Sequence, residues 1–207
     1  MLIAPTAQDR IEDGRSLSML VWRFGSAMTV ASTASCGGGL GERRWIVNAQ
    51  VGHDYRRRDQ DQHGAELASA AGVVADGGVV MFTALDVRKV RSAEDGGVRV
   101  DATVGLTLPV WAAAPDTSVA AAPGTVNVVV QLPVRLAEAA LLNALCTATE
   151  AKTQALLDAN VPGTGTASDA LTVICPADGP AEPFGGPRST WGARLARAVH
   201  EAVQAGV

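Results

Sequence analysis

The stretch from Ala102 to Val134 constrains the fold more than any other part of the chain. It carries one charge, Asp116, and is broken by Pro109, Pro115, Pro123 and Pro133. Proline removes a backbone donor and breaks helices, whereas a membrane-spanning helix needs about twenty apolar residues in a row. The segment therefore reads as two buried strands joined by a loop of small residues. Val21–Phe24, Ala27–Ser32, Trp45–Val51, Val79–Thr83, Val87–Arg91, Val98–Leu106, Thr125–Leu132 and Leu171–Cys175 share this strand character. Glu94-Asp95-Gly96-Gly97 has the chemistry of a hairpin turn. Helical spacing appears at Glu66–Val74, at Arg135–Asn160 between Pro133 and Pro162, and at Thr190–Ala205, where Leu195, Val199 and Val203 share a face. Strands and helices do not alternate, which disfavours a doubly wound sheet. The expectation is an α+β fold: a mixed or antiparallel sheet sandwich with about three helices packed on it, formed as a single domain over residues 1–207.

Charge and cysteine usage narrow the partners. The formal net charge of −4 lacks the basic excess of a nucleic-acid binder. Cys36, Cys146 and Cys175 form no CxxC pair and no even framework, which argues against structural zinc and fits a reducing compartment. Asp9, Arg10, Glu12 and Asp13 interrupt the start before a signal-like apolar run forms. We expect a soluble, cytoplasmic protein with no nucleic-acid and no membrane partner; homo-oligomerisation stays open.

Several groups carry chemistry. On the long helix, Asn143, Thr147, Glu150 and Gln154 fall at offsets of 4, 3 and 4, a polar stripe with Glu150 as its natural acid or base. The plain alternative is a solvated face, and Lys152 lies off this stripe. The loop Pro162–Asp169 (PGTGTASD) follows at once; Gly163 and Gly165 permit backbone N–H groups to turn toward an anion, and Thr164, Thr166 and Ser168 add hydroxyls. Trp45–Val51 places Asn48 and Gln50 on a strand. His53, Asp54, Asp59, Asp61 and His63 are metal-ligand types at no established metal spacing, with Arg56, Arg57 and Arg58 among them; a solvated charged loop is the simpler reading. Cys36 precedes three glycines (Cys36-Gly37-Gly38-Gly39), where an incidental thiol is more in keeping than a nucleophile.

Five segments carry a family resemblance: WIVNAQVGHDY (45–55), GTVNVVVQL (124–132), ALLNALCTATEAKTQAL (140–156), GTGTASDALTVIC (163–175) and GARLARAVHEAV (192–203). Together they resemble the adenosylcobinamide amidohydrolase (CbiZ) family from about Val30 to the end, with the TEAKT helix and its GTGT…D loop the most specific part. Where the family pairs a threonine with the aspartate of that loop, this chain has Ser168 before Asp169. The resemblance implies an amidohydrolase of corrinoid salvage that cuts the amide between aminopropanol and the corrin. The corrinoid is then the substrate, and no cofactor is implied. A non-catalytic corrinoid carrier, and a Thr- or Ser-dependent hydrolase of another small amide, are the alternatives.

Such a reaction needs oxyanion donors, a proton for the leaving amine and a cleft that orients one amide among several. On that footing Glu150, Asp169, Thr166 and Ser168 are the expected catalytic residues. Glu150 activates water or a hydroxyl, Asp169 orients a hydroxyl, and Asn48, Asn127 and the Gly165–Thr166 backbone hold the oxyanion. Gln50, Asn143, Gly163, Gly165 and Gly38 complete the expected substrate contacts. Trp45 and Trp111 are either core residues or platforms for the macrocycle.

Overall fold

The structure, a computed structural model, describes residues 2–115 and 124–207. The strands are β1 (Thr6–Glu12), β2 (Arg15–Ser32), β3 (Gly39–Gln50), β4 (Gly78–Thr83), β5 (Arg91–Asp95), β6 (Val98–Gly105), β7 (Thr125–Gln131) and β8 (Ala170–Pro176). The helices are α1 (Gln60–Ala70), α2 (Glu138–Asp158) and α3 (Thr190–Gln204). All the strands belong to one sheet of order β4-β3-β2-β8-β7-β6-β5, with β1 paired to β2 off this path. The β3–β4 and β7–β8 pairs are parallel and the others antiparallel, so the sheet is mixed and the α+β expectation holds.

The sheet folds back on itself, and β2 is the hinge. Its pairing with β3 slips between Arg23 and Met28, so that Phe24–Ala27 stand opposite Arg44 alone. Such bulges bend a strand. The first part of β2 pairs with β1 and the second with β8. The period-two alternation of side chains then builds three layers of packing. Met19, Val21, Trp45, Val47, Ala49 and Val80 meet α1 through Leu67, Ala68 and Ala71. The intervening residues Leu20, Trp22, Ile46, Val79 and Met81 face inward and meet Val129, Ala170 and Ile174 from the other half. On the far side, Val100, Ala102, Val128, Val130, Leu171 and Val173 pack under α2 and α3. The order is helix, sheet half, sheet half, helices. In α2 the buried stripe is Ala140, Ala144, Ala148, Ala151 and Ala155, so the helix approaches the sheet closely and a larger side chain there overpacks by about 1–3 kcal/mol.

Some expected boundaries moved. The two strands read at Val21–Phe24 and Ala27–Ser32 are one bulged strand, and β3 already begins at Gly39, the last of the three glycines after Cys36. Val87–Lys89 is a turn of 3₁₀ helix, not strand, because the Asp86 carboxylate accepts from the Arg88 N–H and caps it. Helix α1 begins at Gln60 and ends at Ala70, taking in the end of the charged segment read as loop. The expected loop joining the two buried strands includes residues 116–123, which lie outside the described residues. Among the described residues, no helix is long and apolar enough to cross a membrane.

Candidate functional site

A cavity of about 470 Å³ opens between the two halves of the sheet. One wall comes from the residues after β3 and the end of β4: Val51–His53, Tyr55 and Phe82–Ala84. The other comes from Thr125 at the start of β7 and Ala167–Ala170 leading into β8, with Thr33–Ser35 after β2 beside them. Its polar lining is rich in hydroxyls: Thr33, Ser35, Tyr55, Thr83, Thr125 and Ser168.

The loop after α2 forms one rim, and an ion pair fixes its shape. Asp169 is bonded by Lys152 Nζ, and it accepts from Val126 N at 2.9 Å and Thr166 N at 3.1 Å. The Thr166 hydroxyl lies 2.5 Å from Asp169 Oδ1 and 2.7 Å from the Gly124 carbonyl. The side chains of Lys152 and Asp169 are only 6% and 10% exposed. The pair explains Gly165: any Cβ there would collide with both Lys152 Nζ and Asp169 Oδ2. Ser168 projects at the rim, 2.8 Å from the Thr125 hydroxyl and donating to Gly124 O at 3.1 Å. The structure thus brings Thr166, Ser168 and Asp169 together, with Thr166 behind the lining and Ser168 on it.

Lys152 is the functional-looking residue that the sequence reading set aside. The signal was present: it sits at a core-facing position among Ala148, Ala151 and Ala155, and lysine is buried there only with a partner.

Asn48 and Asn127 are also adjacent. Asn48 Nδ2 donates to Thr103 Oγ1 at 2.9 Å, and Asn127 Nδ2 donates to Asn48 Oδ1 at 2.8 Å and to Phe82 O at 3.1 Å. These amides zip the two sheet halves together just below the cavity. With 2% and 1% exposure and no place in its lining, they are not free to hold an oxyanion. The expected backbone nest is partly taken as well. Thr164 N donates to Val110 O at 2.8 Å, Gly163 N to Val161 O at 2.9 Å, and Thr166 N is spent on Asp169.

The remaining expectations scatter. Glu150 is exposed on the outer surface of α2, beside Cys146, Thr149 and Gln154. Positions two apart on a helix point to opposite sides, so the turn that buries Lys152 turns Glu150 away. Asn143 lines a separate hollow with Phe184, Gly186 and Arg188. Thr147, on the same stripe, is buried and donates to Asn143 O and Gly185 O. Gln50 braces β2, accepting from Ser18 N at 3.2 Å and Ser18 Oγ at 3.0 Å. Gly38 sits in the turn before β3, where its carbonyl accepts from Arg43. Gly163 packs against Val110. Trp45 is core, its indole N–H donating to Val74 O, while Trp111 is 50% exposed.

The charged segment does not converge either. Asp54 pairs with Arg15, Asp59 and Glu66 with Arg57, and His63 is buried against Tyr55. Arg57 holds the Asp59 carboxyl down at about 2. Burial, then Asp61, pushes the Cys36 thiol above its ordinary range, the wrong direction for a nucleophile. Among the described residues, no three His, Cys, Asp or Glu side chains meet at one point.

Known proteins resemble this chain over most of its length. A family model described as adenosylcobinamide amidohydrolase matches residues 3–207. The adenosylcobinamide amidohydrolase of Halobacterium salinarum is 37% identical over 146 residues, which are 67% of this chain and 62% of the relative. The protein of the same description from Methanosarcina mazei is 27% identical over 186 residues, 86% of this chain and 89% of the relative. Among solved structures, the L-aminopeptidase D-Ala-esterase/amidase of Ochrobactrum anthropi aligns with a TM-score of 0.44 at 12% identity, covering 98% of this chain and 82% of that one.

Proposed function

The chain belongs to the adenosylcobinamide amidohydrolase family, and from that premise we propose that it hydrolyses the amide joining aminopropanol to the corrin of adenosylcobinamide. The products are adenosylcobyric acid and 1-aminopropan-2-ol. The observation that carries this reading is the hydroxyl-lined cavity between the sheet halves, rimmed by the Ser168–Asp169 loop. Its volume of about 470 Å³ suits the side arm of a corrinoid, with the macrocycle lying across the mouth.

Water is the attacking group in this proposal. The Ser168 hydroxyl is bonded to Thr125 Oγ1 and Gly124 O, and among the described residues no imidazole or free carboxylate bonds to it to raise its nucleophilicity. Ser168 and Thr125 serve instead as hydroxyl donors where negative charge develops on the amide oxygen. Asp169 and Lys152 lock the loop that presents them. The corrinoid is the substrate, and no bound cofactor enters the reaction. Free thiols at Cys36, Cys146 and Cys175 suit a reducing, cytoplasmic setting.

Incubating the purified protein with adenosylcobinamide and following products by mass tests this directly. Adenosylcobyric acid and free aminopropanol are expected in equal amounts. Tight binding with no product would replace the reading by a corrinoid carrier.

A further inference from the structure

We propose that Tyr55, His63 and Glu12 form a proton shuttle at the cavity wall, with Tyr55 as the group that meets the substrate. The proposal rests on the amide-hydrolase reading and supplies the acid–base machinery that reading lacks once Glu150 is found on the far surface.

Three titratable side chains line the cavity among the described residues: His53, Tyr55 and Asp169. Asp169 is filled by Lys152, Thr166 and Val126. His53 is exposed. Tyr55 alone is backed by a chain of proton-carrying groups. Its hydroxyl lies 2.9 Å from His63 Nδ1, and His63 Nε2 lies 3.2 Å from Glu12 Oε1, though not squarely in line with it. The other Glu12 oxygen takes the Arg10 guanidinium at 2.6 Å. These residues come from three places: β1, the segment after β3, and α1. His63 is 1% exposed. A buried imidazole held between a phenol and a carboxylate needs more explanation than packing alone. Phe82, itself in the cavity lining, stacks on both rings at 5.4 and 5.7 Å and fixes their planes. Burial raises the Tyr55 hydroxyl above its ordinary range, which keeps it protonated and able to donate.

The chain has one consistent polarity: Tyr55 O–H donates to Nδ1, leaving Nε2–H toward Glu12. As water attacks, its proton passes to the Tyr55 oxygen while the Tyr55 proton passes to Nδ1. The C–O bond forms and the carbonyl π pair moves onto oxygen. The imidazolium then holds the proton beside the Glu12 carboxylate. When the tetrahedral carbon expels the amine, the C–N pair goes to nitrogen. That nitrogen takes the Tyr55 proton, and Nδ1 returns its own to Tyr55. The relay ends neutral, and the water's proton has been delivered to the leaving group.

Turnover of adenosylcobinamide by wild type is the control; if no cobyric acid forms, the functional reading fails before the shuttle is reached. Given turnover, Tyr55→Phe keeps the ring stack and removes the proton. Its kcat is expected to fall about a hundredfold with KM within about twofold. On a corrin 4-nitroanilide, whose amine leaves without protonation, the deficit is expected to shrink by about tenfold. Glu12→Gln is expected to lower kcat by about tenfold with KM within about twofold, since the amide no longer balances an imidazolium; its thermal midpoint is read alongside, because the change also weakens the Arg10 pair. A Tyr55→Phe kcat within about threefold of wild type, or an equal loss on both substrates, would overturn the shuttle.

Discussion

A methyl group at position 165 would occupy the space that Lys152 and Asp169 share. This steric fact ties three residues of different sequence character into one unit. Lys152→Met leaves the Asp169 carboxylate without its cation at 10% exposure. Breaking a buried pair from one side costs about 3–5 kcal/mol, and urea unfolding is expected to show a loss of that order. Glu150→Gln, in contrast, alters a solvated residue on the outside of α2. Its turnover and its stability are both expected to match wild type in the same assays; a large loss of kcat would return Glu150 to the site. At this scale the sequence was half legible. The PGTGTASD loop could be seen to matter from its glycines and hydroxyls. Its use of those groups could not, because the Thr164 N–H goes to Val110 and the Asp169 carboxylate to Val126 N and Lys152, partners from other parts of the fold. His63 carried a signal that was missed: it stands four residues before Leu67, on the buried face of α1.

Elements with one strong period were read well, and those with mixed patterns were not. Helix α3 keeps Leu195, Ala198, Val199, Ala202 and Val203 on one face and starts at Ser189, whose hydroxyl accepts from Gly192 N at 3.0 Å. Strand β1 escaped notice because TAQDRIE has no apolar alternation; it is an edge held by its ladder to β2. The 3₁₀ turn at Val87 looked like strand because its cap is a side chain. That cap offers a pH test. The Arg88 guanidinium, helped by the Arg88 N–H and the Ser18 hydroxyl, holds the Asp86 carboxyl down at about 2. A lowered carboxylate contributes stability that is complete above its unfolded value of about 3.9 and is lost as pH falls toward the folded value. Asp86→Asn is therefore expected to lower the thermal midpoint at pH 6, and the gap from wild type is expected to close near pH 2. A gap that is constant with pH would show that the carboxylate charge is not what anchors the turn to β2.

The whole molecule depends on the doubled sheet. Sequence patterning conveyed many strands, few helices and a sheet either mixed or antiparallel, because period-two alternation and turn chemistry are local. It did not convey that β2 bends at Phe24–Ala27 and brings β3 and β4 over β7 and β8, since register slips are set by pairing between distant segments. That bend makes the cavity, and with it the claim that amide cleavage takes place between the sheet halves and not on the α2 surface. Two tryptophan substitutions at exposed positions decide the matter. Ala167 lies on the cavity rim and Thr149 in the hollow on α2. The release of adenosylcobyric acid from adenosylcobinamide is to be compared in Ala167→Trp and Thr149→Trp at equal thermal midpoints. The cavity account expects Ala167→Trp to abolish product while Thr149→Trp keeps the wild-type rate; full activity in Ala167→Trp with loss in Thr149→Trp would contradict it.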